Sequence, residues 1–175
     1  METIIKDEIM AFVPIYVEGK GNCTKVYTKY NEPEILEKNL KSVVRNLCKF
    51  YMIDLNETRR RYKSLLSSPN LVPLPFSKRD IFIPLRTRKP LLKNDGATGY
   101  FNMKHIKKIT DNKASTFIHL ENNVQIEALC NKFTVKSHLK DGTIVSRCFE
   151  ERTMIAAENE VSYDGKRPII IVYEK

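Results

Sequence analysis

No two cysteines of this chain stand close together. The four lie at positions 23, 48, 130 and 148, so no Cys-x-x-Cys spacing offers a zinc site. Cys48 and Cys148 each fall in an apolar stripe and read as reduced core residues. The sequence also lacks a Gly-Lys phosphate loop, a nucleophile elbow and a metal-ligand cluster. His105, His119 and His138 lie near no Ser/Asp or Cys grouping of triad type, and His105 and His119 read as surface or strand histidines. These absences leave no catalytic residue, metal ligand or cofactor to nominate, and the expected protein is not an enzyme. No apolar run approaches the roughly 20 residues that span a bilayer. The acidic opening Met1-Glu2-Thr3-Ile4-Ile5-Lys6-Asp7-Glu8 has no signal-peptide core. A cytoplasmic protein with no membrane partner is expected.

Acidic residues are scarce in one place only. Residues 1–40 carry 5 Lys+Arg against 7 Asp+Glu, residues 41–110 carry 16 against 4, and residues 111–175 carry 9 against 10. The whole excess of +9 therefore sits in the middle of the chain. A surface built only for solubility mixes both signs throughout, whereas a concentrated positive field suits a polyanion, most often nucleic acid. With 42% hydrophobic residues the chain can bury a core and is not a disordered basic tail. Its 175 residues suit one domain, or two small ones sharing a core, with sub-halves at about 1–68 and 69–150 followed by a helix and a strand.

Local patterns predict an α+β fold with a mainly antiparallel sheet and flanking helices. Met10–Val17 and Thr24–Tyr30 flank the turn Glu18–Asn22 as a hairpin, with Pro14 marking an edge or terminal strand. Asn31 and Pro33 predict a helix start, and Leu36, Leu40, Val43, Leu47 and Phe50 continue one helical face to Tyr51. A second helix is expected over Asn56–Leu66, with Tyr62, Leu65 and Leu66 inward. Arg59-Arg60-Arg61 then covers its early turns, where cations oppose the helix dipole. Ile81–Leu85 reads as another edge strand because of Pro84, and a proline-rich connection over 67–80 precedes it. Arg86–Gly96 reads as an exposed basic loop. Thr116–Leu120 and Val124–Leu129 form the clearest hairpin. Asn131 is placed to cap a short helix ended by Asp141-Gly142. A further helix over Thr143–Glu158 and a closing strand over Arg167–Tyr173 complete the pattern.

Several of these segments, taken in order, resemble the ComK family, the competence transcription factors of Gram-positive bacteria. Met10-Ala11-Phe12-Val13-Pro14-Ile15-Tyr16 with Thr24-Lys25-Val26 resembles the family's opening. Cys48-Lys49-Phe50-Tyr51 is similar to its Cys-Arg-Phe-Phe/Tyr element, and Ile81-Phe82-Ile83-Pro84-Leu85-Arg86-Thr87 to its Ile-Phe-Phe-Phe-Pro-Thr strand. Gly99-Tyr100-Phe101-Asn102 and His119-Leu120-Glu121-Asn122-Asn123 match a later step and a hairpin tip. The chain departs from the family at Met52–Arg59, where the usual glycines are gone. Tyr100–Ile109 with the following hairpin and helix also resembles the end of a LytTR-type DNA-binding domain, which reads DNA with loops of an elongated β structure. The ComK likeness implies a double-stranded DNA-binding activator of transcription that works as a dimer or tetramer on AT-rich sites, read largely in the minor groove. It further implies control by an adaptor that delivers the protein to a Clp protease.

The candidate DNA contacts are the cations of the basic block: Arg45, Lys49, Arg59, Arg60, Arg61, Lys63, Lys78, Arg79, Arg86, Arg88, Lys89, Lys93, Lys104, Lys107 and Lys108. Asn102 and His105 join them as polar neighbours. Arginine forks suit phosphate and a narrow, negative minor groove. Each charge run also has a plainer reading as a solvated face. Tyr100 and Phe101 are open to base stacking or to core packing, with packing expected for at least one. An RNA-binding module is the alternative function. A small enzyme acting on phosphorylated substrates is a distant third.

Overall fold

Alternation along the first strand sets the layering. The computed structural model describes residues 8–67, 69–93, 95–112 and 115–161, with backbone alone over 155–161. In β1 (Ile9–Val17) Phe12 points to one face and Ala11 and Val13 to the other. Strand β1 pairs with β2 (Gly21–Thr28), and β2 with β3 (Glu34–Leu36). On its other side β1 meets β6 (Thr98–Asn102), which pairs with β5 (Ile81–Arg86), and β5 with the two-residue β4 (Leu74–Pro75). The result is an antiparallel six-stranded sheet in the order β3-β2-β1-β6-β5-β4. A 3-10 turn, Met103–His105, leads into a second sheet of β7 (Ile106–Asp111), β8 (Thr116–Leu120) and β9 (Gln125–Ala128). The fold is mixed α+β and mainly antiparallel, as the sequence patterns predict.

Both faces of the large sheet are covered. Helix α1 (Leu40–Phe50) lays Val43, Val44 and Leu47 on Phe12, Val26 and Phe82. Opposite, Ile118, Leu120 and Ile126 of the small sheet pack on Val13, Ile83 and Phe101, joined by Val135 of α3 (Lys132–Val161). Helix α2 (Leu55–Lys63) contributes Tyr62 to a smaller cluster with Leu66, Val72 and Val145. Strands from both sides of the suggested division at 68/69 share one sheet, so the two segments have a common core.

The prolines mark interruptions in strand pairing, and neither strand is at an edge. Strand β1 is internal, and its ladder to β6 covers only Ala11 and Phe12, so Pro14 lies beyond it. Strand β4 reaches only Ile81 and Phe82, which leaves Pro84 past its end. The first helix starts later than the Asn31-Glu32-Pro33 signal implies. Residues Glu34–Leu36 pair with β2 instead, and Asn39 caps α1 by accepting from the Ser42 amide at 2.9 Å. Asp54 caps α2 through the Asn56 and Glu57 amides. Each such cap contributes about 1 kcal/mol. Because α2 ends at Lys63, Arg60, Arg61 and Lys63 occupy its last turn, where cations favour the dipole. The expected conflict with local stability is thus reversed. Leu66 is buried as expected, but Leu65 is exposed. The expected closing strand at 167–173 lies outside the described residues.

Asp141-Gly142 does not end a helix. Asn131 caps α3 at the Thr134 amide, 2.8 Å away, and the helix continues unbroken for 30 residues. Gly142 is there because there is no room for more. A Cβ on it would lie 2.2 Å from Met103 Sδ and 2.8 Å from Ile83 Cγ2. Overpacking costs about 1–3 kcal/mol, against about 1 kcal/mol of helix propensity gained from alanine. Gly142→Ala is therefore expected to lower stability by up to about 2 kcal/mol net, read as a lower urea midpoint with an unchanged slope.

Candidate nucleic-acid interface

Helices α1 and α2 and the start of β6 enclose a groove of about 430 Å³. Lys41 and Arg45 line it from α1, and Arg59 from α2. Gly96, Ala97, Thr98 and Tyr100 form the opposite wall. Lys41, Arg45 and Lys49 recur every four residues and are all exposed on one stripe of α1. Arg59 lies beside the half-buried Tyr100 hydroxyl, whose pKa is pushed up by burial and pulled back by that guanidinium. Arg86 pairs with Thr98 across the strands, which sets it on the same sheet face at the groove's rim. The structure thus brings Arg45 and Arg59 together on one groove, with Arg86 one strand away from Thr98 on the same sheet face. Lys41 was missed as a candidate, although its spacing from Arg45 and Lys49 was visible in the sequence.

The four acids of the basic block are each committed to local structure. Asp54 caps α2. Glu57 holds Arg60 in a two-bonded fork at 2.9 Å and lies 3.8 Å from Arg61. The Arg60 fork holds the Glu57 carboxyl below the usual carboxylate range. Asp80 accepts from the Ser77 hydroxyl and from Asn102 Nδ2. Asp95 braces a loop through Tyr16, Asn22 and the Leu92 amide. Among the described residues, Lys41, Arg45, Lys49, Arg59, Lys63 and Arg86 form no ion pair. The same holds for Lys78, Arg79, Lys89, Lys93, Lys107 and Lys108.

Arg88 serves the fold. Its guanidinium stacks 4.0 Å from the Tyr16 ring centroid, donates from Nε to the Gly96 carbonyl and from Nη2 to Asn22 Oδ1. Asn22 Nδ2 donates to Asp95 Oδ1, and the Tyr16 hydroxyl donates to Asp95 Oδ2 at 2.5 Å. The amides of Leu91 and Leu92 close the network on Tyr16 Oη and Asp95 Oδ2. Hydrogen bonds from Tyr16, Asn22 and the Leu92 amide hold the Asp95 carboxyl below its ordinary value of 3.8.

Two further candidates are withdrawn by burial. Asn102 is fully buried and donates to Asp80 Oδ1 and the Ile9 carbonyl, while its own oxygen caps the 3-10 turn. His105 is fully buried with Nδ1 at 2.9 Å from Glu121 Oε2. Neither side chain can reach a ligand outside the protein. Lys104 is drawn to Glu8 at 3.2 Å. Arg79 and Lys104 share a separate cleft with Glu8 and Asp80, so its charge is balanced. Lys107 and Lys108 are both exposed, because a bulge between Ile106 and Lys108 breaks the alternation of β7. They stand on the smaller sheet. Phe101 is buried in the core, and Tyr100 stacks on Phe12 at 5.3 Å. Both cysteines read as core residues are free thiols, Cys48 buried and Cys148 half-buried.

Among the described residues no group of three or more His, Cys, Asp and Glu is arranged to hold a metal ion. No helix among them is long and apolar enough to cross a membrane. No family model matches the chain, and no curated protein or solved structure does either.

The loop network generates a direct test. Asp95→Ala removes the acceptor shared by Tyr16, Asn22 and Leu92, so trypsin should cleave after Lys93 several times faster than in the parent protein. Unchanged cleavage would show that the loop does not depend on Asp95. The pKa shift also fixes the sign of a pH effect. A carboxyl lowered by folding stabilises fully above its unfolded value and loses that contribution as pH falls through the folded one. Protection of the Leu92 amide, taken relative to its intrinsic exchange rate at each pH, should therefore hold down to the ordinary Asp range and fall only below it.

Proposed function

We propose that the protein binds double-stranded DNA as a sequence-specific transcription regulator, working in the cytoplasm as a homo-oligomer. One observation carries this reading: Lys41, Arg45 and Arg59 converge on a single groove with Arg86 at its rim, while the nearby carboxylates are occupied elsewhere. A ridge of cations without counter-charges attracts a polyanion and gains by releasing the polyanion's own counterions. From Lys41 to Lys49, α1 rises about 12 Å. That is enough to follow several phosphates, which recur about every 3.4 Å along each strand. The RNA alternative draws on exposed aromatics as stacking platforms. Phe101 and Tyr100 are instead packed against the core, so neither of these two aromatics serves as such a platform. AT-rich, minor-groove reading follows from the family likeness and from arginine's fit to a narrow groove.

With about six to eight phosphates neutralised, log K should fall against log salt with a slope of roughly −5 to −7. Binding that is insensitive to salt from low to physiological strength would overturn the reading. Arg45→Ala with Arg59→Ala should weaken binding about tenfold or more and flatten the slope by about two. Arg60→Ala, whose fork is already closed on Glu57, should change affinity less than threefold by the same phosphate-counting logic, a threshold of roughly half a decade. If Arg60→Ala proves the more damaging, the groove is the wrong surface.

A further inference from the structure

The tip of the basic loop carries two adjacent leucines in open solvent. Leu91 is 73% exposed and Leu92 71% exposed. An isolated exposed leucine is ordinary, but neighbouring ones directed outward together invite a partner. Pro90 precedes them and Lys89 and Lys93 flank them, neither lysine in an ion pair among the described residues. The tip is also held rigidly. Leu91 N donates to Tyr16 Oη at 2.7 Å, Leu92 N donates to Asp95 Oδ2 at 3.0 Å, and Asp95 N returns a bond to the Leu92 carbonyl at 3.0 Å. The chain then passes through Gly96, Ala97 and Thr98, which line the cationic groove. An apolar point thus projects from the rim of a positive surface, with its backbone fixed from behind.

We propose that Pro90-Leu91-Leu92 is a wedge that enters the minor groove of the bound duplex and partly unstacks one base step. This rests on the reading above that the partner is duplex DNA. Size selects this occupant. A base step admits one or two apolar side chains, which matches Leu91 and Leu92. Anchoring at a membrane surface takes a larger apolar area, such as the face of an amphipathic helix. A stable protein interface takes roughly 800 Å² from each partner. Charge agrees with size, because Lys89, Lys93 and Arg86 can hold phosphates beside the point of entry. The fixed backbone matters as well. A wedge that unstacks bases must not collapse on contact, and a tip ordered beforehand loses little entropy on entry. Unstacking would kink the duplex toward its major groove, away from the wedge.

The test uses the full chain and an A·T-rich duplex of about 30 base pairs with a donor and an acceptor fluorophore at its ends, a length on which a sharp kink is measurable. The wild-type protein is expected to raise energy transfer on binding. Leu91→Ser with Leu92→Ser should bind with an unchanged salt slope and weaker affinity, yet leave energy transfer near that of free DNA. Both residues are solvent-exposed, and circular dichroism verifies that the variant is folded. Salt-dependent binding by the wild type without a change in energy transfer would overturn the wedge and leave the DNA reading standing. Equal bending by the variant would do the same. Failure of the wild type to bind the duplex would remove both. Leucine-dependent capture by mixed phosphatidylcholine and phosphatidylserine vesicles, with duplex binding unaffected, would reassign the loop to a lipid surface and overturn the proposal.

Discussion

The fold depends on a narrow seam. Three strands from the start of the chain and three from its middle meet only where β1 touches β6, at Ala11 opposite Phe101 and Phe12 opposite Tyr100. Two residue pairs are a short ladder, and its strength comes from what lies above and below it. Phe12 is held against Phe82 and Tyr100 on one face, and Phe101 is buried with Val13 and Ile83 on the other. Asn102 extends the seam with its side chain, bonding the Ile9 carbonyl on one side and Asp80 on the other. Gly99 keeps it closed, since a Cβ there would lie 2.7 Å from Val13 Cγ1. The groove is built over this seam, with Tyr100 serving both. A disturbance of the sheet junction would therefore be felt at the cationic surface.

Much of this architecture was legible in the residues. The hairpins at 10–30 and 116–129 announce themselves by alternation and turn chemistry, which are local signals. Helix starts were harder to read. Asn31-Glu32-Pro33 and Asn39 offer similar capping chemistry, and the choice between them rests on whether residues 34–36 find a strand to pair with. Gly142 reads as a stop signal because helices so often end at glycine. Its real reason is a methionine and an isoleucine from other parts of the chain. The site was legible as a block of charge but not residue by residue. Asn102 and His105 stand among lysines in the sequence, yet a 3-10 turn directs them inward. Arg88 looks no different from Arg86 until Tyr16 and Asn22, far away along the chain, meet it.

The scarcity of acids in the middle of the chain takes on a structural meaning. Asp54, Asp80 and Asp95 satisfy amides and side-chain donors in and around turns, and Glu57 alone directly pairs arginines. The positive field is not an accident of surface composition. The carboxylates are retained where backbone or loop geometry requires them. The arginines divide in the same way, into those that hold the protein together and those that face outward. Net charge alone does not separate the two groups.

Tyr16, Asn22, Arg88 and Asp95 form a closed circuit in which each side chain bonds or stacks on the next. Losing one member strands its neighbours, so drift at a single position is penalised even when the new residue is harmless by itself. Among descendants of this sequence the four sites should be inherited as a set or replaced as a set. A lineage that has abandoned the circuit should show a loop of different length or composition between β5 and β6.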